Sequence, residues 1–398
     1  MRGEASAAPA RLVRVSRRPA WTLVALFFAA LTLRPQIVGV GPLIPKIQDG
    51  FGTSHAVVGL LGTIPVLCMG LFAPVGAYLA ARIGTRRAMT LGLSLIGVFG
   101  ILRATMPSVW LVVLLTWPVG IGMGLGNTLA PISIKEHFED RPATGTGIYT
   151  TGIQIGSTGA AALAVPLAGW LVGGWRGALI ALSIAALLSL VAWVVLTWGE
   201  APHSAPAARV PRLPWRSKTA WLLVTIFGLM ACAYYGLNAW LPDAYTERGW
   251  SDRSAGILLA MMNLTAIPAS FVFPYLSDRA GKRRPFLLGL SVCFVTGAVI
   301  LVAFPSIGYA GALIAGVAQG GLFAMVMTLP LDFERTPERV GALVAMMLGL
   351  GYTIGATAPF ILGAVRDATG SFNAVLWVAA GFLTAQFFAL LILTRRHG

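Results

Sequence analysis

One arginine, Arg34, stands within a long apolar stretch near the N-terminus and is followed directly by Pro35. A charged side chain at the centre of a membrane costs about 2.5–3.5 kcal/mol on insertion scales, so an intramembrane arginine is expected to face the protein interior or a wet cavity. Its guanidinium offers a planar fork of donors that suits a carboxylate or a small linear anion. The proline frees a backbone carbonyl, and such a turn can unwind where it lines a cavity. We interpret Arg34 as an anion-binding residue; an arginine bonded only to helix-end carbonyls is the structural alternative.

Uncharged polar side chains also lie within apolar stretches and are candidates for binding a solute. For any one of them, a hydrogen bond between neighbouring helices, worth about 0.6 kcal/mol on average in membranes, explains its presence equally well. Together with Arg34, the candidate solute-binding residues are Asn127, Tyr149, Gln154, Tyr234, Tyr235, Asn238, Asn263, Gln319 and Tyr352.

The sequence lacks the patterns of catalytic and cofactor-binding sites. It has no Cys and His spacing for a metal, no P-loop and no Gly-x-Ser-x-Gly elbow. Its cysteines, Cys68, Cys232 and Cys293, lie within apolar stretches and are better explained as small packing residues than as disulfide partners. We therefore expect neither enzymatic activity nor a cofactor or metal, and no direct use of ATP.

The elements that must position these residues are membrane spans. Of the 398 residues, 57% are hydrophobic and only 11% are charged, whereas soluble domains carry about 25% charged residues. Each long apolar stretch approaches the ~20 residues that cross a bilayer as a helix. The predicted spans are residues 20–45, 55–81, 88–105, 108–134, 143–172, 176–198, 219–242, 254–277, 285–304, 307–331, 339–366 and 373–394.

The net charge of +15 is concentrated in the tails and in alternate loops. An even number of spans places both termini on one side, and most basic residues fall on that side, for example at 2–18, 82–87, 209–218, 279–284 and 395–396. This asymmetry predicts cytoplasmic termini. The membrane orientation therefore explains the net positive charge, and no nucleic-acid partner is needed to account for it. The expected partners are the lipid bilayer and a small solute, with the protein acting as a monomer in the cytoplasmic membrane.

Two segments repeat at a constant offset. Residues 78–94 (YLAARIGTRRAMTLGLS) and 275–291 (YLSDRAGKRRPFLLGLS) are identical at 10 of 17 positions, 197 residues apart, each between the second and third spans of its half. This spacing indicates a parallel duplication with both segments on the cytoplasmic side. The predicted organisation is a cytoplasmic tail (1–19), a six-helix bundle (20–198), a cytoplasmic linker (199–218) and a second six-helix bundle (219–394).

The repeated segment resembles the loop signature of the major facilitator superfamily, a run of the Gly-x-Leu-x-Asp-Arg-x-Gly-Arg-Arg type. The second copy keeps the acidic residue as Asp278, whereas Ala81 replaces it in the first copy. The resemblance implies an all-α membrane fold, with twelve transmembrane helices in two pseudo-symmetric six-helix bundles around a midplane site. It also implies that the acidic residue caps a neighbouring helix and latches the cytoplasmic side in the outward-facing state. The candidate gating residues are Arg82, Arg86, Asp278, Arg279 and Arg283.

Further motifs narrow the resemblance. Their order along nearly the whole chain is similar to that in the cyanate and 2-nitroimidazole permeases (CynX/NimT type) of the superfamily. In the superfamily, the spans that hold the candidate polar residues line the central cavity, and Asn127, Tyr235 and Gln319 rank highest because they stand in motif-like stretches. The motifs include Leu-Arg-Pro (33–35), Gly-Leu-Gly-Asn (124–127), Ala-Trp-Leu-Pro (239–242), Gln-Gly-Gly-Leu-Phe (319–323) and Asp-Ala-Thr-Gly (367–370).

The sequence predicts a permease for a small anionic solute, such as cyanate or a small carboxylate, that works by alternating access. Arg34 should point into the central cavity within reach of Tyr235 or Gln319. No Asp or Glu lies well inside a span, so transport should not need a buried carboxylate. This favours uniport, anion exchange, or symport in which the proton travels on the solute. An exporter of neutral or aromatic compounds such as nitroimidazoles is the first alternative, and a non-transporting membrane sensor is the second.

Arg103 stands near the predicted outer end of the third span, close to Met106 and Pro107. A long basic side chain at that depth can extend to the membrane surface. We therefore expect a structural role for Arg103, with its guanidinium at the membrane interface.

Overall fold

The chain folds into helices because a lipid-buried backbone must satisfy its hydrogen bonds within each segment. The structure is a computed structural model that describes residues 19–137, 142–199, 213–334 and 337–396. Nearly all of the predicted N-terminal tail and most of the predicted linker lie outside these residues. The described helices are Pro19–Leu31, Pro35–Val38, Gly41–Leu43 (3-10), Ile44–Phe51, His55–Leu71, Ala73–Ile83, Thr85–Thr105, Val109–His137, Pro142–Trp170, Trp175–Leu196, Lys218–Glu247, Asp252–Ala280, Arg283–Ala303, Pro305–Ile307 (3-10), Gly308–Thr328, Pro330–Phe333, Pro337–Thr369 and Phe372–Arg396.

Within the described residues, eleven helical segments are long and apolar enough to cross a membrane, and the bent pair His55–Leu71 and Ala73–Ile83 makes twelve if it is one span. The two helices of that pair meet at 53°. The all-α fold of twelve spans is therefore confirmed, and we number the spans in chain order. They are span 1 (Trp21–Phe51), span 2 (the bent pair), spans 3 to 6 (Thr85–Thr105, Val109–Ile134, Gly147–Trp170, Trp175–Leu196) and spans 7 to 12 (Lys218–Glu247, Asp252–Ala280, Arg283–Ala303, Pro305–Thr328, Arg339–Thr369, Phe372–Thr394).

The two halves of the chain repeat the same helix packing. In the first half, span 1 packs on spans 5 and 6, and span 3 packs on spans 4 and 6. In the second half, span 7 packs on spans 11 and 12, and span 9 packs on spans 10 and 12. Between the halves, span 2 packs on span 11 and span 5 packs on span 8. These pairings are equivalent under a two-fold rotation, which gives the two pseudo-symmetric six-helix bundles that the resemblance implies.

Both copies of the repeated segment lie on the same side of the molecule. Span 2 begins beside the end of span 11, where His55 bonds Asp367, and span 8 begins beside the end of span 1, where Lys46 pairs with Asp252. Each of these spans crosses once before it reaches its repeated segment. We call the side of the repeated segments the loop face and the side of the His55–Asp367 contact the gate face. This arrangement agrees with the predicted parallel duplication.

Span 1 is interrupted at Arg34, as the following proline led us to expect. Its first helix ends at Leu31, and helix resumes for only four residues at Pro35–Val38 before further short helical segments. Neighbouring helices approach this break closely because they present glycine. At Gly156 of span 5, a methyl group would collide with the backbone carbonyl of Leu31.

Candidate solute-binding site

A small cavity lies beside the break in span 1. Its volume is about 20 Å³. As predicted, Arg34 shares this cavity with Tyr235 of span 7 and Gln319 of span 10. The residues that line it are Arg34, Phe227, Met230, Ala231, Tyr234, Tyr235, Gln319, Phe323 and Tyr352.

The Arg34 guanidinium is held among aromatic side chains. Arg34 is 9% exposed, and its guanidinium carbon lies 5.8 Å and 5.9 Å from the ring centres of Tyr234 and Tyr235. The negative face of an aromatic ring attracts such a cation. Tyr352 lines the same cavity and lies close enough to the guanidinium for an electrostatic interaction. Among the described residues, no carboxylate forms an ion pair with Arg34, so only neutral groups offset its charge.

Three candidate residues carry a buried donor that has no hydrogen-bond partner in the part of the chain that the structure describes, and two of the three line the cavity. The donors are Nε of Arg34, the hydroxyl of Tyr235 and the amide nitrogen Nδ2 of Asn127. A buried polar group left without a partner costs about 1–3 kcal/mol. A solute that carries negative charge and acceptor atoms would satisfy these donors.

Asn127 and Tyr149 extend the polar surroundings of Arg34 on the side of the first bundle. The Tyr149 hydroxyl donates a hydrogen bond of 2.9 Å to Oδ1 of Asn127, which joins spans 4 and 5. Tyr149 lies close enough to Arg34 for an electrostatic interaction. This bond orients the Asn127 side chain so that Oδ1 accepts from Tyr149, while Nδ2 has no partner among the described residues.

Tyr234, which lines the cavity, forms a hydrogen-bonded network with two other candidates, Asn238 and Asn263, that are not among the lining residues. Tyr234 donates to Oδ1 of Asn263 at 3.0 Å, and Asn263 donates to Oδ1 of Asn238 at 3.1 Å. Asn238 in turn donates to the Tyr234 backbone carbonyl at 2.8 Å. These groups satisfy one another, so they hold span 7 against span 8 and leave few sites for a solute. Gln154 is half-buried in span 5 and is not part of the cavity wall.

The sequence analysis did not single out the apolar part of the wall, which is formed by Phe227, Met230, Ala231 and Phe323. Phe227, Met230 and Ala231 recur with Tyr234 at helical spacing along span 7. This periodicity was the sequence signal that could have shown that they share one face of the helix. They make one side of the cavity apolar and aromatic. The Phe227 ring, for example, meets the Tyr352 ring edge-on, with ring centres 5.0 Å apart.

The prediction that Arg103 extends to the membrane surface is wrong. Arg103 is 1% exposed and donates hydrogen bonds to Oε1 of Gln36 at 2.6 Å and to the Thr116 hydroxyl at 3.2 Å. The side chain turns inward because Gln36 of span 1 and Thr116 of span 4 offer acceptors inside the bundle. Gln36 was missed as well, although a polar residue two positions after Arg34 in an apolar stretch was a usable signal.

The two bundles are joined on the gate face by polar contacts. Asp367 of span 11 accepts hydrogen bonds from the backbone amides of His55 and Ala56 at 3.0 Å and 2.9 Å, and its carboxylate lies 2.8 Å from Nδ1 of His55. Lys46 and Asp252 form an ion pair of 2.7 Å. Asp367 thereby caps the N-terminus of span 2, a helix that belongs to the other bundle.

On the loop face, each contact shown for the candidate gating residues joins elements of the same half. Asp278 lies 3.8 Å from Arg283 of its own segment and is largely exposed. In this conformation, with the bundles joined on the gate face, Asp278 therefore shows no ion pair or hydrogen bond with described residues of the other half. The bonds join Arg82 to Tyr78, Arg86 to Thr197, Arg279 to Tyr275 and Arg283 to Asp332.

Known proteins are similar to this chain in sequence and in fold. The family model described as Major Facilitator Superfamily matches residues 20–356. The cyanate transport protein CynX of Escherichia coli (strain K12) is 29% identical over 92% of this chain and 96% of its own length. The 2-nitroimidazole transporter of the same organism is 30% identical over 89% of this chain and 90% of its own length. A solved structure of a bacterial homolog of the human lysosomal transporter Spinster has a TM-score of 0.76 and 16% identity, covering 94% of this chain and 96% of that chain. The chain therefore belongs to the major facilitator superfamily, whose members are secondary transporters and not enzymes, and the resemblance to its cyanate and 2-nitroimidazole permeases is confirmed.

Proposed function

We propose that the protein carries a small anion across the membrane and that Arg34 binds the charge of this anion. The observation that carries the proposal is a buried guanidinium without a carboxylate partner in the described structure, next to the unpartnered hydroxyl of Tyr235. The unpartnered amide of Asn127 belongs to a residue that bonds Tyr149, a neighbour of Arg34. Water would satisfy the donors but would leave the charge unbalanced. An anion satisfies the donors and balances the charge together, which favours negative solutes over neutral ones.

The size of the cavity favours a solute of few atoms. Its volume of about 20 Å³ is little more than the ~10–15 Å³ that one water molecule requires. A linear anion of three atoms, such as cyanate, needs only small side-chain movements to enter. A ring compound requires the walls formed by spans 7 and 11 to move apart. The name of the relative CynX points to the same small size class.

The two-bundle arrangement supports transport by alternating access between units that we place at 20–198 and 219–394. Opening the gate face requires the contacts of Asp367 with span 2 and the ion pair of Lys46 to break. On the loop face, Arg86 and Arg283 already bond within their own bundles. The basic residues of the repeated segments favour a cytoplasmic loop face by the positive-inside rule, in the cytoplasmic membrane.

Export of a nitroimidazole-like compound is the second candidate function. The aromatic rings of Phe227, Tyr235 and Tyr352 would stack on a flat heterocycle, and one relative is a 2-nitroimidazole transporter. A neutral heterocycle would nevertheless leave the charge of Arg34 without a counter-ion. For that reason we favour the anion.

Transport assays in proteoliposomes separate the two candidates. Radiolabelled cyanate should enter in a saturable manner, and small anions such as formate should compete with it, while 2-nitroimidazole should not. Liposomes that contain the Arg34→Ala protein are the matched control and should show only passive entry. Saturable transport of 2-nitroimidazole, with no response to any of the anions, would contradict the proposal.

A further inference from the structure

Arg103 is a second buried arginine, and it contacts the same interrupted segment of span 1 that carries Arg34. Its guanidinium donates to the side-chain oxygen of Gln36 at 2.6 Å and to the Gln36 backbone carbonyl at 3.3 Å. In the part of the chain that the structure describes, no carboxylate forms an ion pair with Arg103. A guanidinium buried in this way has a large desolvation cost that an apolar side chain would avoid. Its contacts therefore point to a role beyond filling space.

Gln36 links Arg103 to the backbone of Arg34. Gln36 lies in the four-residue helix Pro35–Val38. In that helix the amides of Ile37 and Val38 bond the Arg34 carbonyl at 2.9 Å and 3.1 Å. A force that holds Gln36 in place therefore holds the Arg34 backbone as well.

The Gln36 side chain is fixed from two sides. Its oxygen accepts from Arg103 of span 3, and its nitrogen donates to the Ser183 hydroxyl of span 6 at 3.0 Å. A helix of one turn is not stable by itself, because nucleation fixes several residues for a single hydrogen bond. The position of this segment is therefore set by contacts such as these and not by continuity of the helix.

We propose that Arg103 is a positioning residue for the anion site: through Gln36, it holds the interrupted segment of span 1 so that the Arg34 guanidinium faces the cavity. This inference rests on the proposed function, since it concerns how the anion-binding group is oriented. Arg103 itself is not among the residues that line the cavity. Its effect on solute binding should therefore pass through Arg34.

A double-mutant cycle tests this coupling on the purified protein, with cyanate affinity measured by calorimetry. Arg103→Gln should weaken binding about 3- to 30-fold, which lies within the range measured for coupled neighbours. In an Arg34→Lys background, the same substitution should have little further effect, because the lysine cannot use the fixed orientation. Arg176→Gln is the matched control. It removes bonds of 3.0 Å and 2.6 Å to the carbonyls of Ala104 and Met106 at the same end of span 3, without touching Gln36, and should leave affinity unchanged.

Equal weakening in both backgrounds, or unchanged affinity in a folded Arg103→Gln protein, would overturn the inference. If Arg103→Gln does not fold, Ser183→Ala takes its place in the cycle, because it removes only one contact of Gln36. That milder variant should weaken binding about 2- to 5-fold, again only when Arg34 is present.

Hydrogen–deuterium exchange over residues 32–40 provides a readout that needs no solute. Exchange there should be faster in Arg103→Gln than in either the wild type or Arg176→Gln, and unchanged exchange would overturn the inference. If the wild type binds no anion while exchange still rises at the break, the proposed function fails and the positioning of Arg34 by Arg103 stands.

Discussion

Around Arg34 the protein offers hydrogen-bond donors and aromatic faces, and the described residues supply no opposing carboxylate. Tyr234 and Tyr235 are adjacent in sequence, but their hydroxyls differ in hydrogen bonding. The Tyr235 hydroxyl has no partner among the described residues, whereas the Tyr234 hydroxyl bonds Asn263. A buried group that has no hydrogen-bond partner within the described protein is suited to contact the solute. A group that is already bonded within the protein is suited to hold the structure.

Substitutions of Arg34 separate charge from geometry. Arg34→Lys keeps the charge but loses the planar fork, so cyanate affinity should fall about tenfold, the equivalent of ~1.4 kcal/mol. Arg34→Ala removes the charge and should abolish measurable anion binding while the protein still folds. Calorimetry gives the affinities, and thermal unfolding in detergent verifies the fold. Unchanged affinity in a folded Arg34→Ala protein would refute the assignment.

The two neighbouring tyrosines provide a matched pair. Tyr235→Phe removes a buried hydroxyl that has no partner, so it should not lower stability and should raise it by up to about 1–3 kcal/mol, while weakening anion binding by about 0.5–1.5 kcal/mol. Tyr234→Phe removes the donor to Asn263, so it should lower stability by about 1–3 kcal/mol and affect affinity less. Calorimetry and thermal unfolding of both variants check the contrast. The reverse pattern would place the solute contact on Tyr234.

At the scale of the elements, the interruption of span 1 depends on glycines in the neighbouring spans, because these residues have no side chain. Gly126 of span 4 faces the Leu33 side chain, and Gly156 of span 5 faces the Leu31 carbonyl. A side chain at Gly126 would collide with the Leu33 side chain, and one at Gly156 would collide with the Leu31 backbone, so both would displace the interrupted segment. The close approach of spans 4 and 5 thus fixes where the break and its arginine can lie.

A pair of glycine substitutions in span 5 tests this requirement. Gly156→Ala places a methyl group against the Leu31 backbone and should destabilise the protein by about 1–3 kcal/mol and weaken anion binding. Gly159→Ala lies one turn away with open space around the new methyl group. That control should be neutral or stabilising by up to about 1 kcal/mol. Equal melting temperatures for the two variants would mean that the break tolerates displacement.

At the scale of the whole molecule, the two-fold repeat gives both bundles equivalent helix contacts. The two faces of the molecule nevertheless differ in whether their polar contacts join the bundles. The gate face joins the bundles through Asp367, Lys46 and their partners, whereas Arg86 and Arg283 on the loop face bond within their own bundles. A transporter that rocks between two states requires contacts of this kind that form and break on one face at a time.

Chemical labelling tests the predicted orientation of the two faces. In a protein whose native cysteines are replaced by alanine, single cysteines at Arg82 and Arg279, which are 197 positions apart in the repeat, should be equally shielded from an impermeant maleimide in right-side-out vesicles. Cysteines at Asp49 and Arg253, near the gate face, should react. In inside-out vesicles the pattern should reverse. Reaction of only one of the two loop-face cysteines from outside would exclude the parallel arrangement.

Much of this structure follows from local features of the chain. The length of each apolar stretch predicts the spans, and the repeat at 78–94 and 275–291 predicts two equivalent bundles. Pro35 predicts the break in span 1. The charge of Arg34 predicts a site in the protein interior, and the resemblance to the superfamily adds the expectation that Tyr235 and Gln319 lie near it. Each of these features is readable because it depends on chain geometry within one helix or on the cost of placing a charge in lipid.

The sequence by itself thus determined the membrane fold, its duplication and the arginine at its centre. The tertiary structure alone decided which polar groups find partners: Arg103 meets Gln36 across 67 residues, Tyr234 meets Asn263 across 29, and Asp367 meets His55 across 312. Periodicity along a helix tells which residues share a face, but it does not tell which face of another helix will lie opposite. A hydrogen bond forms only when donor and acceptor lie within a few ångströms of each other. The packing of the helices therefore decides whether a buried donor bonds another residue and stabilises the fold, or has no partner in the protein and can bind a solute.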